Sequence, residues 1–295
     1  MTSNSQQIKF TSSEDYNSGT QGTYEKLILI AVNSTVIYII SFIFFFVLYH
    51  LTTSITAYNN DLSAKLMYYG TDISVGRYEW SKTRVVYTYA MGPLVCFFAA
   101  IICRYFYIAY YRKRRGFVKL LLTWGFIHGL LFSFGNVITG IITGRGVGNA
   151  FKWAYAGQAI QYGAAGFSLL VLILLGFAMT RAFLATSPSQ TLIENGFNNR
   201  PLYVLFAAVI PWFVSSLLMF LIQYPKQFSA NMLIMIMMVP ILLPTLSFSA
   251  VNMRVTLSKS KDQVNLGWPY IILCAIVVIG YRIILEFGIT FKDVL

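Results

Sequence analysis

The chain has 295 residues, of which 57% are hydrophobic and only 11% are charged, whereas charged residues make up about 25% of ordinary soluble domains. A soluble domain of this size must cover its surface with polar side chains, so this composition excludes a soluble globular protein and indicates an integral membrane protein. The formal net charge is +12, but the basic residues lie mostly between apolar runs, which favours contact with lipid headgroups over binding of nucleic acid.

The first residues differ in composition from the rest of the chain. Residues 1–23 are rich in Ser, Thr, Asn, Gln and Gly and show no apolar periodicity. This pattern predicts a polar tail that is disordered or loosely held. The remaining residues, 24–295, are predicted to form a single transmembrane helical domain.

Seven stretches are long and apolar enough to cross a hydrocarbon core, which takes about 20 residues in a helix. They cover residues 27–51, 86–111, 117–143, 155–184, 202–223, 229–252 and 268–290. The third is broken by glycines, which predicts a kinked or partly re-entrant segment. Pro211, Pro240 and Pro244 predict kinks in the fifth and sixth spans. The predicted fold is therefore an all-α polytopic helical bundle with about seven transmembrane helices.

The distribution of basic residues predicts the orientation of the chain. The loop at 112–119 carries five basic residues and no acidic one. Placing this loop in the cytoplasm puts twelve basic residues on the cytoplasmic side and eight on the outer side. The positive-inside rule then places the N-terminus in the cytoplasm and the C-terminus outside. The expected location is a bacterial cytoplasmic membrane.

The longest extramembrane element is predicted at residues 52–85, on the outer side. Loops beyond about 12–15 residues are usually functional or disordered, and disordered segments contain few aromatic residues. Partial alternation at residues 72–80 predicts a short hairpin or cap. Tyr68, Tyr69, Tyr78 and Trp80 are therefore candidates for docking a partner protein. A loop that simply lies on the membrane surface explains the same composition.

The seventh and third spans carry ionisable groups, which are expensive in a bilayer and are functional candidates by default. Arg282 and Glu286 lie four residues apart, on one helical face. They suggest an ion or proton path or, more simply, a self-neutralising pair that extends toward the outer surface. His128 lies near the middle of the third span and could carry a proton. The simpler interpretation is a buried histidine bonded to a nearby hydroxyl or carbonyl.

Small and polar residues form a stripe along the third span. The stripe consists of Gly125, Gly129, Ser133, Asn136 and Gly140. Such a pattern lets a neighbouring helix approach closely and form hydrogen bonds across the contact, so we expect helix packing at these positions. Asn136 is also a candidate polar group for any path through the bundle.

Motifs for catalysis, metal binding or cofactor binding are missing from the sequence. Cys96, Cys103 and Cys274 all lie within apolar runs, without a CxxC pair or a Cys/His cluster. The sequence contains no HExxH, GxSxG or P-loop motif. We therefore expect no metal, no cofactor and no enzymatic activity.

Two passages resemble known membrane proteins. Residues 90–95, Ala-Met-Gly-Pro-Leu-Val, resemble the Ala-Gly-Pro segment of site-2-protease-type membrane metalloproteases. Residues 124–129, Trp-Gly-Phe-Ile-His-Gly, with 144–153 after them, are similar to uncharacterised multi-pass bacterial membrane proteins. In the proteases a HExxH helix precedes the first passage, but residues 50–54 here read His-Leu-Thr-Thr-Ser. The resemblance therefore implies the protease fold without its zinc motif and without its catalysis.

These observations leave three functional interpretations. The first is a non-catalytic membrane subunit or scaffold that docks partner proteins through the outer loop and the glycine-lined helix faces. The second is a small transporter or an ion- or proton-conducting protein that uses His128, Arg282 and Glu286. The third is an intramembrane hydrolase. Clustering of those ionisable groups around one cavity would favour transport, whereas isolated or lipid-facing positions would count against it.

Overall fold

The computed structural model describes residues 13–73, 80–111, 116–188, 191–194, 199–226, 229–251, 255 and 264–291, with side chains from residue 22 onwards except at 111, 191, 194 and 229. Within these ranges, seven helices are long and apolar enough to cross a membrane. They are Gly22–Tyr58, Lys82–Tyr110, Phe117–Thr143, Gln158–Leu184, Asn199–Gln223, Ala230–Ser249 and Trp268–Phe287, here called the first to seventh spans. The predicted polytopic helical membrane bundle with seven spans is thus confirmed.

The ends of the first helix differ from the sequence prediction. The helix runs from Ser13 to Tyr58, so it begins within the segment predicted to be a polar tail. It also continues seven residues beyond residue 51, where the predicted span ended. Hydropathy marks only the part of a helix that lies in hydrocarbon, so a helix that extends into water is longer than its apolar run.

Irregular helical turns occur in the second, third, fifth and sixth spans. The second span ends in a π-helical turn at Tyr107–Tyr111. The third span contains a π-helical turn at Leu131–Gly135, and the fifth contains one at Leu205–Val209, just before Pro211. The sixth span is interrupted by a turn at residues 237–238, just before Pro240. The third span has 27 residues, or about 40 Å of helix. This length is sufficient to cross the bilayer without a re-entrant segment.

A small antiparallel sheet covers one end of the bundle. This end is called the outer end, after the orientation that the sequence predicts, and the opposite end is called the inner end. Strands β1 (Ala64–Met67) and β2 (Gly70–Ile73) form a hairpin, and β3 (Ile289–Phe291) pairs with the other edge of β1. The hairpin therefore lies earlier than the predicted one at residues 72–80, of which 74–79 are outside the described residues. The all-α class holds for the spans but not for this outer cap.

The first span lies at the centre of the bundle. It contacts the second, third, fifth and seventh spans. The third span also packs against the second and fourth spans, and the sixth span packs against the fourth. Six of the candidate residues therefore lie on the third span, and Arg282 and Glu286 lie on the seventh span. Tyr68 and Tyr69 lie at the hairpin turn, and Trp80 lies just before the second span.

Candidate functional site

His128 lies in a cluster of aromatic rings between the first and third spans. Its side chain is completely buried. The imidazole Nδ1 atom lies 2.9 Å from the Ser41 hydroxyl. The Tyr38 and Phe42 rings stand nearly perpendicular to the imidazole, with centroids 4.5 and 5.7 Å away, and Trp124 stacks on it at 5.7 Å. The hydroxyl bond agrees with the simpler of the two interpretations of His128.

Three buried polar atoms in this region have no hydrogen-bond partner among the described residues. They are the His128 Nε2 atom, the Tyr38 hydroxyl and the Ser216 hydroxyl. The Ser216 hydroxyl, from the fifth span, adjoins that of Tyr38, but the two do not meet hydrogen-bond geometry. A nitrogen that is both buried and unpaired is uncommon in proteins, so His128 Nε2 is the clearest candidate here for an additional contact.

A chain of hydrogen bonds lies one helical turn from His128 and joins the first, third and fifth spans. The Trp124 indole N–H donates to the Ser34 hydroxyl at 3.0 Å, and this hydroxyl donates to the Ala207 carbonyl at 2.6 Å. Pro211 has no N–H to donate to a carbonyl one turn earlier in its helix, where Ala207 lies. The first span therefore supplies the donor that the fifth span lacks.

The predicted packing glycines of the third span face the second span. A Cβ atom on Gly129 would lie 2.7 Å from the Cβ atom of Ala100 and 2.8 Å from the Cys96 carbonyl oxygen. A Cβ atom on Gly125 would lie 3.0 Å from the Cys103 sulfur. The two backbones therefore approach so closely that a side chain at position 129 would collide with the second span.

Two further members of the stripe lie in or beside the π-helical turn of the third span. Ser133 and Asn136 are both buried. The Asn136 amide donates to the Phe132 carbonyl at 2.6 Å, so it satisfies an acceptor of its own helix. This bond uses one of the two Asn136 amide N–H groups within the third span.

Gly140 lies at a close contact near the outer end of the third span. A Cβ atom on Gly140 would lie 2.7 Å from the backbone nitrogen of Gly148. Gly148 belongs to the short helix Val147–Trp153. The turn between the two helices contains Gly144 and Gly146, both with positive φ, a conformation that glycine adopts without strain.

Arg282 and Glu286 form an ion pair at the outer end of the seventh span. The Arg282 guanidinium also lies 3.8 Å from the centroid of the Tyr68 ring and donates to the Tyr224 carbonyl. The two side chains are 32% and 49% exposed. The structure therefore places this pair at the edge of the protein, in an environment different from that of completely buried His128.

Tyr68 and Tyr69, at the hairpin turn, are inserted into the outer end of the bundle. Both are buried. The Tyr281 hydroxyl donates to the Tyr68 carbonyl, and the Asn231 amide donates to the Tyr69 carbonyl at 2.9 Å. These rings pack within the chain and are not exposed to a partner, contrary to the expectation that the loop docks one. Trp80 stacks on a tyrosine of the second span.

The remaining residue of the predicted docking loop, Tyr78, lies outside the described residues. The same is true of the basic residues at 112–115, which supported the predicted orientation. Lys119, from the same basic loop, is buried and its ammonium donates to the Ala185 carbonyl at 2.6 Å, at the C-terminal end of the fourth span. A cation is favourable at this end of a helix.

Sequence reasoning missed Asn33, which fixes the beginning of the seventh span. Its amide nitrogen donates to the Asn265 carbonyl at 3.1 Å, and its amide oxygen accepts from the Gly267 N–H at 2.9 Å. The available signal was an amide side chain inside an otherwise apolar span. Such a residue needs a partner, because an unpaired polar group is expensive in hydrocarbon.

The passages that carry the protease resemblance lie next to each other. A Cβ atom on Gly92 would lie 2.8 Å from the Thr53 hydroxyl oxygen. His50 Nδ1 lies 3.2 Å from the Thr71 hydroxyl, which itself donates to the His50 carbonyl. The described residues contain no group of three or more His, Cys, Asp or Glu that could hold a metal ion. Comparisons with protein-family models, curated proteins and solved structures found no match to this chain.

Proposed function

We propose that this protein is a non-catalytic integral membrane subunit, or scaffold, that docks partner proteins within the bilayer. One observation carries the proposal: only 17% of the residues in an apolar 18-residue window of the seventh span are buried, against 61% for the third span and 67% for the first. Most interior polar groups bond to one another, whereas this helix leaves most of its surface to the surroundings. The partners are the lipid bilayer and other membrane proteins, not nucleic acid.

The exposed seventh span is nevertheless held firmly at both ends. At its beginning, Asn33 binds the backbone of residues 265–267, and Tyr270 stacks on Phe117 with ring centroids 4.1 Å apart. At its other end, Tyr281 binds the hairpin turn and β3 joins the sheet. A helix that is fixed at its ends and exposed between them offers a preorganised surface to another helix, which lowers the entropy lost on docking.

The proposal includes a location and an orientation. The distribution of cations supports a bacterial cytoplasmic membrane with the N-terminus inside and the C-terminus outside. Single cysteines placed at Arg181 and Lys152, both exposed, test this orientation in a background whose native cysteines are replaced by alanine. In intact cells, a membrane-impermeant thiol reagent should label the cysteine at position 152 and not the one at 181. The reverse pattern would contradict the orientation.

The decisive experiment for the subunit function is purification of the tagged protein from its native membrane in a mild detergent, followed by mass spectrometry. We expect one or more proteins to co-purify in a fixed ratio and to migrate with it on size exclusion. An unrelated multi-pass protein with the same tag is the control. A single homogeneous species would contradict the proposal.

Transport or proton conduction is the second candidate function. It is favoured by the unpaired His128 Nε2 atom, near which the Tyr38 and Ser216 hydroxyls are also unpaired. The position of Arg282 and Glu286 at the edge of the protein counts against it. The test is proton flux into liposomes that contain the purified protein, compared with the His128→Phe variant. Thr88→Val is the matched control, because the Thr88 hydroxyl of the second span is also buried and has no hydrogen-bond partner in the described part of the chain. Flux lost only in His128→Phe would favour transport.

A further inference from the structure

The exposed side of the seventh span carries an isoleucine stripe. It consists of Ile272, Ile276, Ile279 and Ile283, which are 57–62% exposed. Their spacings of four, three and four residues keep them within an arc of about 60° on a helix with 3.6 residues per turn. The buried residues of the same helix, Cys274, Tyr281 and Leu285, lie on the opposite side. The stripe therefore faces directly away from the bundle.

A carboxylate stands at the outer end of the isoleucine stripe. Glu286 follows Ile283 by three residues and so continues the same spacing. Its side chain is 49% exposed. Its partner, Arg282, is engaged on several sides, by the Tyr68 ring, the Tyr224 carbonyl and Glu286 itself. The Glu286 carboxylate has acceptor sites beyond those used by one guanidinium, and part of it remains exposed beside the stripe.

We propose that the isoleucine stripe binds one transmembrane helix of a different protein, and that this helix carries a lysine or arginine level with Glu286. This inference rests on the proposed subunit function and names its docking surface. Alternating spacings of three and four residues let side chains interlock with those of a second helix at a small crossing angle. A cation on that helix would complement the exposed part of the carboxylate.

Charge argues against a second copy of this chain as the occupant. Two copies share one orientation in the membrane, so a symmetric contact along the stripe would bring Glu286 of one copy beside Glu286 of the other. Each Glu286 is already paired with the Arg282 of its own copy, and this Arg282 is also engaged by the Tyr68 ring and the Tyr224 carbonyl. A symmetric contact would therefore place two carboxylates side by side without supplying a further cation to either of them. A foreign helix with a cation at this depth has no such penalty.

Fluorescence energy transfer in liposomes tests the proposal. The labelled full chain is combined with a synthetic transmembrane peptide of leucine and alanine that carries one lysine near the end facing Glu286. A second peptide carries glutamine at the same position. We expect the lysine peptide to bind about fivefold more tightly than the glutamine peptide. Glu286→Gln should remove this preference, and Ile276→Ala combined with Ile279→Ala should weaken binding of both peptides.

The control is a double variant of the fifth span, Phe213→Ala with Leu217→Ala, because both residues are similarly exposed. It should bind both peptides like the native chain. Equal binding of the two peptides, or no binding above that of lipid alone, would overturn the proposal. Two labelled copies of the chain can also be tested for energy transfer between them. If such transfer occurs and the stripe substitutions abolish it, the stripe binds a second copy, and this result would also overturn the proposal.

Co-purification separates the failure of this inference from that of the proposed function. The stripe variant, Ile276→Ala combined with Ile279→Ala, should lose the native partner in the mild-detergent purification. If the partner remains bound to the stripe variant, the docking surface lies elsewhere while the subunit function stands. If the native chain has no partner at all, the subunit function itself fails.

Discussion

The third and seventh spans differ in a way that reverses the usual relation between hydropathy and burial. The third span has the lower mean hydropathy, 1.6 against 2.2. Yet 61% of the residues in its apolar 18-residue window are buried, against 17% for the seventh span. In a soluble protein the more apolar helix would be inside. In a bilayer the lipid is as apolar as leucine, so small and polar residues direct a helix inward, where other helices can pack against it and bond to it.

Polar groups on the two spans follow the same division. His128, on the third span, is completely buried and bonded to Ser41. Arg282 and Glu286, on the seventh, stay partly exposed and pair with each other. The interior histidine thus joins two helices, whereas the two partly exposed charges pair within one helix. Four substitutions test this division.

The largest expected effect comes from adding a side chain at Gly129. In Gly129→Leu the new side chain would collide with Ala100 and with the Cys96 carbonyl of the second span. Overpacking of this kind costs about 3 kcal/mol. We expect a large loss of folded protein, measured as the temperature of half-loss of the monodisperse peak on size exclusion in detergent.

Gly280→Leu is the matched control for this substitution. Gly280 lies in the seventh span, and nothing lies within 4 Å of a Cβ atom built on it. Leucine there should leave the stability unchanged or raise it slightly, because leucine is a better helix former than glycine. Similar losses for both variants would contradict the contrast between the two spans.

The sequence predicts the spans well because hydropathy is a local property. All seven appear near their predicted positions. The sequence does not predict which helix lies inside the bundle, because most spans are apolar on every side. It also does not predict that β1 pairs with residues 289–291, because these residues are more than 220 positions away. The carbonyls of buried Tyr68 and Tyr69 likewise accept hydrogen bonds from the distant residues Tyr281 and Asn231. The local sequence therefore could not indicate that these rings are buried.

The second prediction concerns the hydroxyl that joins three spans. Ser34→Ala would leave both the Trp124 indole N–H and the Ala207 carbonyl without their partner. Unpaired buried groups cost about 2 kcal/mol. Pro211→Ala in the same chain restores a backbone N–H to the fifth span, and it should recover part of the lost thermal stability. A double variant no more stable than Ser34→Ala would show that Pro211 does not determine the need for this hydroxyl.

The third prediction concerns the inner end of the seventh span. Asn33→Ala removes both bonds to the backbone of residues 265–267. We expect a loss of about 1 kcal/mol and faster proteolysis in the segment before Trp268, measured by limited digestion in detergent. Thr35→Ala is the control, because the Thr35 hydroxyl bonds only within its own helix, to Ala31, among the contacts described. Equal digestion of the two variants would contradict the role of Asn33.

The smallest effect is expected at the outer ion pair. Arg282→Ala leaves the Glu286 carboxylate unpaired at the membrane boundary, and we expect it to lose more thermal stability than Arg282→Ala combined with Glu286→Ala. Because both side chains are partly exposed, water still reaches the stranded charge and the difference should stay below about 1 kcal/mol. Equal losses in the single and double variants would show that the two charges do not depend on each other. The seventh span would then be held by its backbone and ring contacts alone, and Glu286 would be free to bind a cation on another helix without competition from Arg282.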